Sequence, residues 1–220
     1  MSWPALVAAA VLAGVAWALT PVVLRALPEP ATSDAEDKVP YAALATPRFA
    51  AAVGVLGGLA GLIAFSALGG EHWLAWTALA LVNVLACAID ARTTWLPARL
   101  AHAGWLVATV GAMVVALAQG SVWPLVRAGL GAVAVGGLFH LLWWVTGTLG
   151  YGDVRLAATI GAVTALVDIE LAGASSLAGT TLSAAVGIGH RLTGRHGGFP
   201  YGPGLLAGPF VALLIRLPLG

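Results

Sequence analysis

The chain has 220 residues, of which 60% are apolar and 9% charged, against about 25% charged in an average soluble domain, so its solvent is lipid. At about 20 apolar residues per spanning helix, this length holds seven or eight spans and leaves no room for a separate soluble domain. A net charge of +1 with no basic run interleaved with aromatics argues against nucleic acid as a partner, and the single Cys87 excludes an internal disulfide framework or a cysteine-based zinc site.

Apolar stretches predict spans over residues 3–27, 49–68, 72–89, 98–118, 124–147, 154–167, 170–189 and 204–218. The expectation is an all-α polytopic transmembrane helix bundle of about eight spans. The sixth is short, and Asp168, Ile169 and Glu170 alone separate it from the seventh, so a re-entrant hairpin and a total of seven spans is the alternative. The first stretch lacks the positive n-region of a signal peptide and reads as a retained span, residues 1–27. Residues 28–47, with Glu29, Pro30, Asp34, Glu36, Asp37, Lys38 and Pro40, have a composition that cannot bury a core and read as a flexible loop. Residues 48–220 form the membrane-embedded core. Gly54, Gly57, Gly58 and Gly61, like Gly129, Gly131, Gly136 and Gly137, suit close helix packing.

Eight spans place Arg25, Lys38, Arg48, Arg92, Arg99, Arg155, Arg191 and Arg195 on one side of the membrane and Arg127 and Arg216 on the other. The positive-inside rule makes the first side cytoplasmic and puts the N-terminus outside. Trp3, Trp73, Trp76 and Trp123 fall near outer span ends and Trp95 near an inner one, the positions of interfacial belts.

Outside the acidic first loop the acids are Glu71, Asp90, Asp153, Asp168 and Glu170. Three map to outer turns. Asp90 ends the third span and Asp153 begins the sixth, and the two intervening spans return the chain to the same membrane face. Ionisable groups at such a depth are functional candidates. Asp153 is also placed to cap a helix N-terminus, and Asp90 could be an exposed loop residue paired with Arg92. The glycines of Gly150-Tyr151-Gly152-Asp153 permit a turned backbone that a substrate strand could approach. Asp90 opens a short polar break closed by Leu96-Pro97, where Pro suits a helix start.

In this order, these elements resemble the type IV prepilin peptidase family of bacterial membrane aspartyl proteases. The resemblance rests on the first Asp followed by Leu96-Pro97, on Gly150-x-Gly152-Asp153 continuing as Val154-Arg155-Leu156, and on Pro200-Tyr201-Gly202-Pro203 after Phe199. It implies Asp90 and Asp153 as the catalytic pair and Gly150, Tyr151, Gly152, Arg155, Pro97, Pro200, Tyr201, Gly202 and Pro203 as substrate-binding residues. It also implies a prepilin or pseudopilin substrate cut at the cytoplasmic interface of the bacterial inner membrane, with no cofactor and no metal. Arg155 stands where the family commonly has Lys, which keeps charge but not geometry. The short 28–47 loop replaces the Cys-rich domain that supports N-methylation in many members, so cleavage without methyl transfer is expected. The helix macrodipole would favour ionised Asp153 and protonated Asp90.

A presenilin-like protease with other substrates, a small proton-coupled transporter and a structural or assembly subunit that keeps the fold without activity are the rival readings. Presenilin-like chains place the first Asp after Tyr, whereas Asp90 follows Ile89; transporters hold carboxylates at the midplane. His140 inside a span is expected to make a helix-to-helix hydrogen bond, and His190, Arg191, Arg195 and His196 fall in an inner loop. Oligomeric state is not encoded in these patterns.

Overall fold

The computed structural model describes residues 2–29, 38–147, 149–194 and 198–216. A lipid-exposed backbone must satisfy its own hydrogen bonds, and each apolar run does so as a helix. Eight helices occur among the described residues, with no strand: α1 Trp3–Ala26, α2 Pro47–Ala67, α3 Gly70–Thr93, α4 Ala98–Ala118, α5 Trp123–Thr146, α6 Tyr151–Ala165, α7 Ile169–Leu192 and α8 Gly202–Arg216.

The helix limits follow local chemistry. Pro47 opens α2 behind Thr46, whose hydroxyl accepts the Phe49 N–H at 3.2 Å, a proline start with an N-cap. Asp168 caps α7 by accepting the Leu171 N–H at 2.6 Å. Gly147 ends α5 in the left-handed region, where glycine carries no steric cost. Thr94 ends α3 with φ 58°, an uncommon conformation for a β-branched residue.

Helix α3 is the axis of the bundle. Two-thirds of its most apolar window is buried, against less than a quarter for α1 and α5. Its centre is a π-helical segment, Ala78–Asn83. Around α3 stand α2, α4, α6 and α8, and the helices α1, α5 and α7 pack outside α2, α6 and α8. Each outer pair is antiparallel: an added Cβ at Gly54 would meet Ala13 and Trp17, and one at Gly61 would meet Leu12. Gly131 lies against Gly161 and Gly136 against Ala158, while Gly187 faces Phe199 and Gly208 faces Ser175. Small residues are what allow backbones this close. Gly129 and Gly137, expected to pack similarly, instead have open space at their Cβ positions.

Six helices, α1 to α5 and α7, are long and apolar enough to cross a membrane. The remaining two, α6 and α8, have 15 residues each. They rise about 22 Å, short of the roughly 30 Å hydrocarbon core. The expected weakness of the sixth span is therefore present, and the eighth shares it; residues 217–218 of that span lie outside the described residues. Both short helices lean on a 24-residue partner, α6 on α5 and α8 on α7.

Two expectations need correction. Trp76 is not at an interface: it is fully buried, with its ring 5.9 Å from Phe210 in an edge-to-face contact. Trp3 and Trp123, by contrast, are largely exposed. The third span also runs past residue 89 to Thr93, so Asp90 lies in its last turn and the polar break begins only after Thr93.

Candidate active site

Asp90 lies in the last turn of α3, buried at 4% exposure. Its Oδ2 accepts the backbone N–H of Gly202, at the start of α8, at 3.0 Å. It is thus neither exposed nor an ion-pair partner of Arg92, whose own side chain faces out. Its burial has a simple cause. The turn that would have shed it into water is still helical, and Thr93 and Thr94 close that helix by bonding back to Ile89 and Asp90 carbonyls.

Asp153 is the third residue of α6 and is also buried, at 7% exposure. Gly150 takes the N-cap position, and the Asp153 carboxyl reaches back to the Gly150 amide, the reciprocal half of a capping box. Capping therefore accounts for part of its environment. It leaves Oδ1 buried without a hydrogen-bond partner among the described residues, a costly arrangement that calls for a functional account.

The two carboxyl groups, from different helices, line one cavity of about 520 Å³. Of the residues expected at a substrate site, Pro97, Gly150, Tyr151, Gly152 and Arg155 share that lining. Leu96 joins the two halves: an added Cβ at Gly152 would sit 2.6 Å from its Cβ, and one at Gly202 would sit 3.4 Å from its Cδ1. The Arg155 guanidinium stacks over the Tyr151 ring at 4.9 Å, and the ring itself lies 5.0 Å from Trp143. His140 belongs to the same aromatic group, with Trp143 and Tyr151 at 5.3 and 5.9 Å, in place of the expected hydrogen bond.

The Pro200–Pro203 element is not part of this wall. Gly202 backs Asp90 instead, and an added Cβ there would lie 2.9 Å from Oδ2. Tyr201 is wedged between Phe139 and Phe199, with its carbonyl accepting from Ser183 Oγ at 2.9 Å. Pro203 lines a separate apolar groove with Cys87 and Phe210. His190 lies against Phe199, while Arg195 and His196 fall outside the described residues.

Several lining residues carried no sequence signal. Glu29, Tyr41, Thr94, Trp95 and Arg99 are among those that line the cavity. Residues 30–37 lie outside the described residues, but the flanks of the expected flexible loop pack on the bundle. Tyr41 and Leu44 are buried in a 3-10 turn, and Tyr41 donates its N–H to Glu29 Oε1 at 2.7 Å. Burial, reinforced by the Glu29 charge, pushes the Tyr41 phenol up to about 12. Lys38 sits 4.2 Å from the centre of the Trp95 ring and donates to Thr94 Oγ1 at 3.0 Å.

A family model described as the type IV leader peptidase family matches residues 77–190, over half of the chain and inclusive of both aspartates. The chain belongs to the type IV leader peptidase family. No curated protein and no solved structure matches it. This leader peptidase family member is thus a multi-pass membrane peptidase with a peptide substrate. The match spans α3 from Thr77 through most of α7, so both aspartates lie inside it and α8 beyond it.

Proposed function

We propose that this family member is an aspartyl endopeptidase in which Asp90 and Asp153 form the catalytic dyad. The observation that carries this reading is the convergence of two buried carboxyl groups from separate helices on one cavity. Peptide hydrolysis by such a pair needs one carboxylate to deprotonate the attacking water and one carboxyl to donate to the scissile carbonyl, so close like charges share a proton. The sequence-based split, with Asp153 ionised, neglects the Gly202 amide that faces Asp90. We assign the proton to the dyad and not to either residue.

The substrate we propose is a prepilin or pseudopilin, cut between its basic leader and its apolar helix. The cavity is of the size that typical ligand sites have, and its walls offer Arg99 and Arg155 beside Glu29. It opens at the end of the bundle where Arg25, Lys38, Arg48, Arg92 and Arg191 also lie, while Arg127 and Arg216 lie at the other. On the positive-inside rule that end is cytoplasmic, in the bacterial inner membrane, with the N-terminus outside. The 28–47 connection joins the first span, 1–27, to the 48–220 core and offers no cysteine, so we propose cleavage without N-methylation.

Co-expression with a prepilin from the same genome tests the reading through leader removal on a gel. Asp90→Ala and Asp153→Ala should each reduce cleavage by about 10²–10⁴-fold, the usual worth of a general acid or base, at unchanged membrane levels. Cleavage that survives either change would refute the dyad.

A further inference from the structure

At the end of the bundle opposite the aspartates, α5 and α7 barely touch. Helix α5 is drawn onto α6 by the Gly131–Gly161 approach, and α7 is drawn onto α8 by Gly179 and Gly208. A groove of about 870 Å³ is left between them, lined by Trp123, Arg127, Leu130, Leu138, Ile169 and Ala172 among others. Its lining is apolar apart from Arg127 and Asp168 at one end and Ser176 further along. From Arg127 to Leu138 it follows α5 for about 16 Å, enough for most of an extended acyl chain.

The polar end has an unmatched charge. Arg127 donates one Nη1 bond to the Val167 carbonyl at 3.3 Å, while its Nε is buried with no partner among the described residues. The acid on the same rim, Asp168, is already taken: Arg216 reaches both its oxygens at 2.6 and 2.9 Å, and the Leu171 N–H binds Oδ1. Glu170 also faces Arg216, at 3.6 Å. A guanidinium is a planar donor suited to phosphate oxygens. Exposed Trp123 marks the level of the headgroups.

We propose that this groove binds one anionic phospholipid, with its phosphodiester on Arg127 and an acyl chain along Leu130 and Leu138. The site is separate from the aspartate cavity and does not depend on the peptidase reading.

The test titrates the purified full chain in non-ionic detergent with phosphatidylglycerol or with diacylglycerol of the same chains, which lacks the phosphodiester, and counts bound lipid by native mass spectrometry. Phosphatidylglycerol should bind roughly tenfold tighter, the worth of about one charge-assisted contact. Arg127→Gln should erase that preference, and Arg127→Lys should keep part of it. Gly173 lines the groove and has open space at its Cβ position, so Gly173→Leu should fill the groove and weaken both lipids without burdening the helix. Equal binding of the two lipids by the wild-type chain overturns the proposal with no variant needed. So does Arg127→Gln that binds phosphatidylglycerol as the wild type does, or Gly173→Leu that leaves both affinities unchanged.

Discussion

Gly202 has no side chain, and its backbone lies directly against Asp90. Its N–H holds Asp90, and a methyl group at its Cα would stand 2.9 Å from the Asp90 oxygen and 3.3 Å from Cys87 Sγ. The obstruction comes from a helix-held carboxyl and a buried thiol, so the carboxyl must shift to admit a methyl group. Gly202→Ala should therefore displace Asp90 while leaving every dyad atom in the chain. The expected outcome is at least a tenfold fall in turnover, with a loss of stability of about 1–3 kcal/mol from overpacking; leader cleavage and thermal melting in detergent check the two effects. Asp90 itself shows what a sequence can and cannot say about a residue. Its candidacy was readable, because an acid at the end of an apolar run is rare. Its burial was not, because that depends on three more helical residues and on an amide 112 positions away.

At the scale of an element, the junction of α6, α7 and α8 rests on Asp168. The carboxylate caps α7 and receives the Arg216 guanidinium from the end of α8. The Arg216 hydrogen bonds, ahead of all other influences, hold its acid below the usual carboxylate range. A lowered folded-state value means that the stabilisation is complete above the unfolded value, about 3.9, and fades as pH falls through the lower folded one. Asp168→Ala should thus destabilise the protein at pH 7, by about 1 kcal/mol for the cap, with only a small addition from an ion pair this exposed. The gap between variant and wild type should narrow as pH falls below 4, as followed by melting of helical signal. The helices themselves were largely readable from apolar runs, since lipid leaves the backbone no other solution. Their interruptions were not: nothing in Ala78–Asn83 announces a π segment, and the packed Tyr41 turn hid inside a stretch whose average composition is that of a loop.

Across the whole molecule, the two ends differ in character. One carries the cavity, both buried acids and most of the cations; the other carries Trp123, Arg127 and the Asp168–Arg216 junction. Orientation in the bilayer then follows from accessibility. Cys87 is buried, so single cysteines can be read against a quiet background. Ser121→Cys, in the exposed turn before α5, should react with a membrane-impermeant maleimide in intact cells. Arg191→Cys, exposed at the end of α7, should react only after permeabilisation. The reversed pattern would invert the proposed topology. Sequence alone put the two aspartates at one end, as the shared cavity has them, because helix count fixes parity. It could not show which helix stands at the centre, as with Trp76, since membrane helices are apolar on every side.

The π segment of α3 has a consequence for chain length. A π turn holds one residue more than the α turn it replaces, so the helix stores a spare residue between Trp76 and Asp90. Removing Leu81, half-buried within that segment, should let the turn relax to ordinary α geometry with both flanks in phase, and leader cleavage should persist. Removing Ala88 from the regular turns should swing Asp90 by about 100° out of the cavity and abolish it. The axis helix is thus tolerant of a missing residue in one place only, two turns before the acid that the bundle is built to aim.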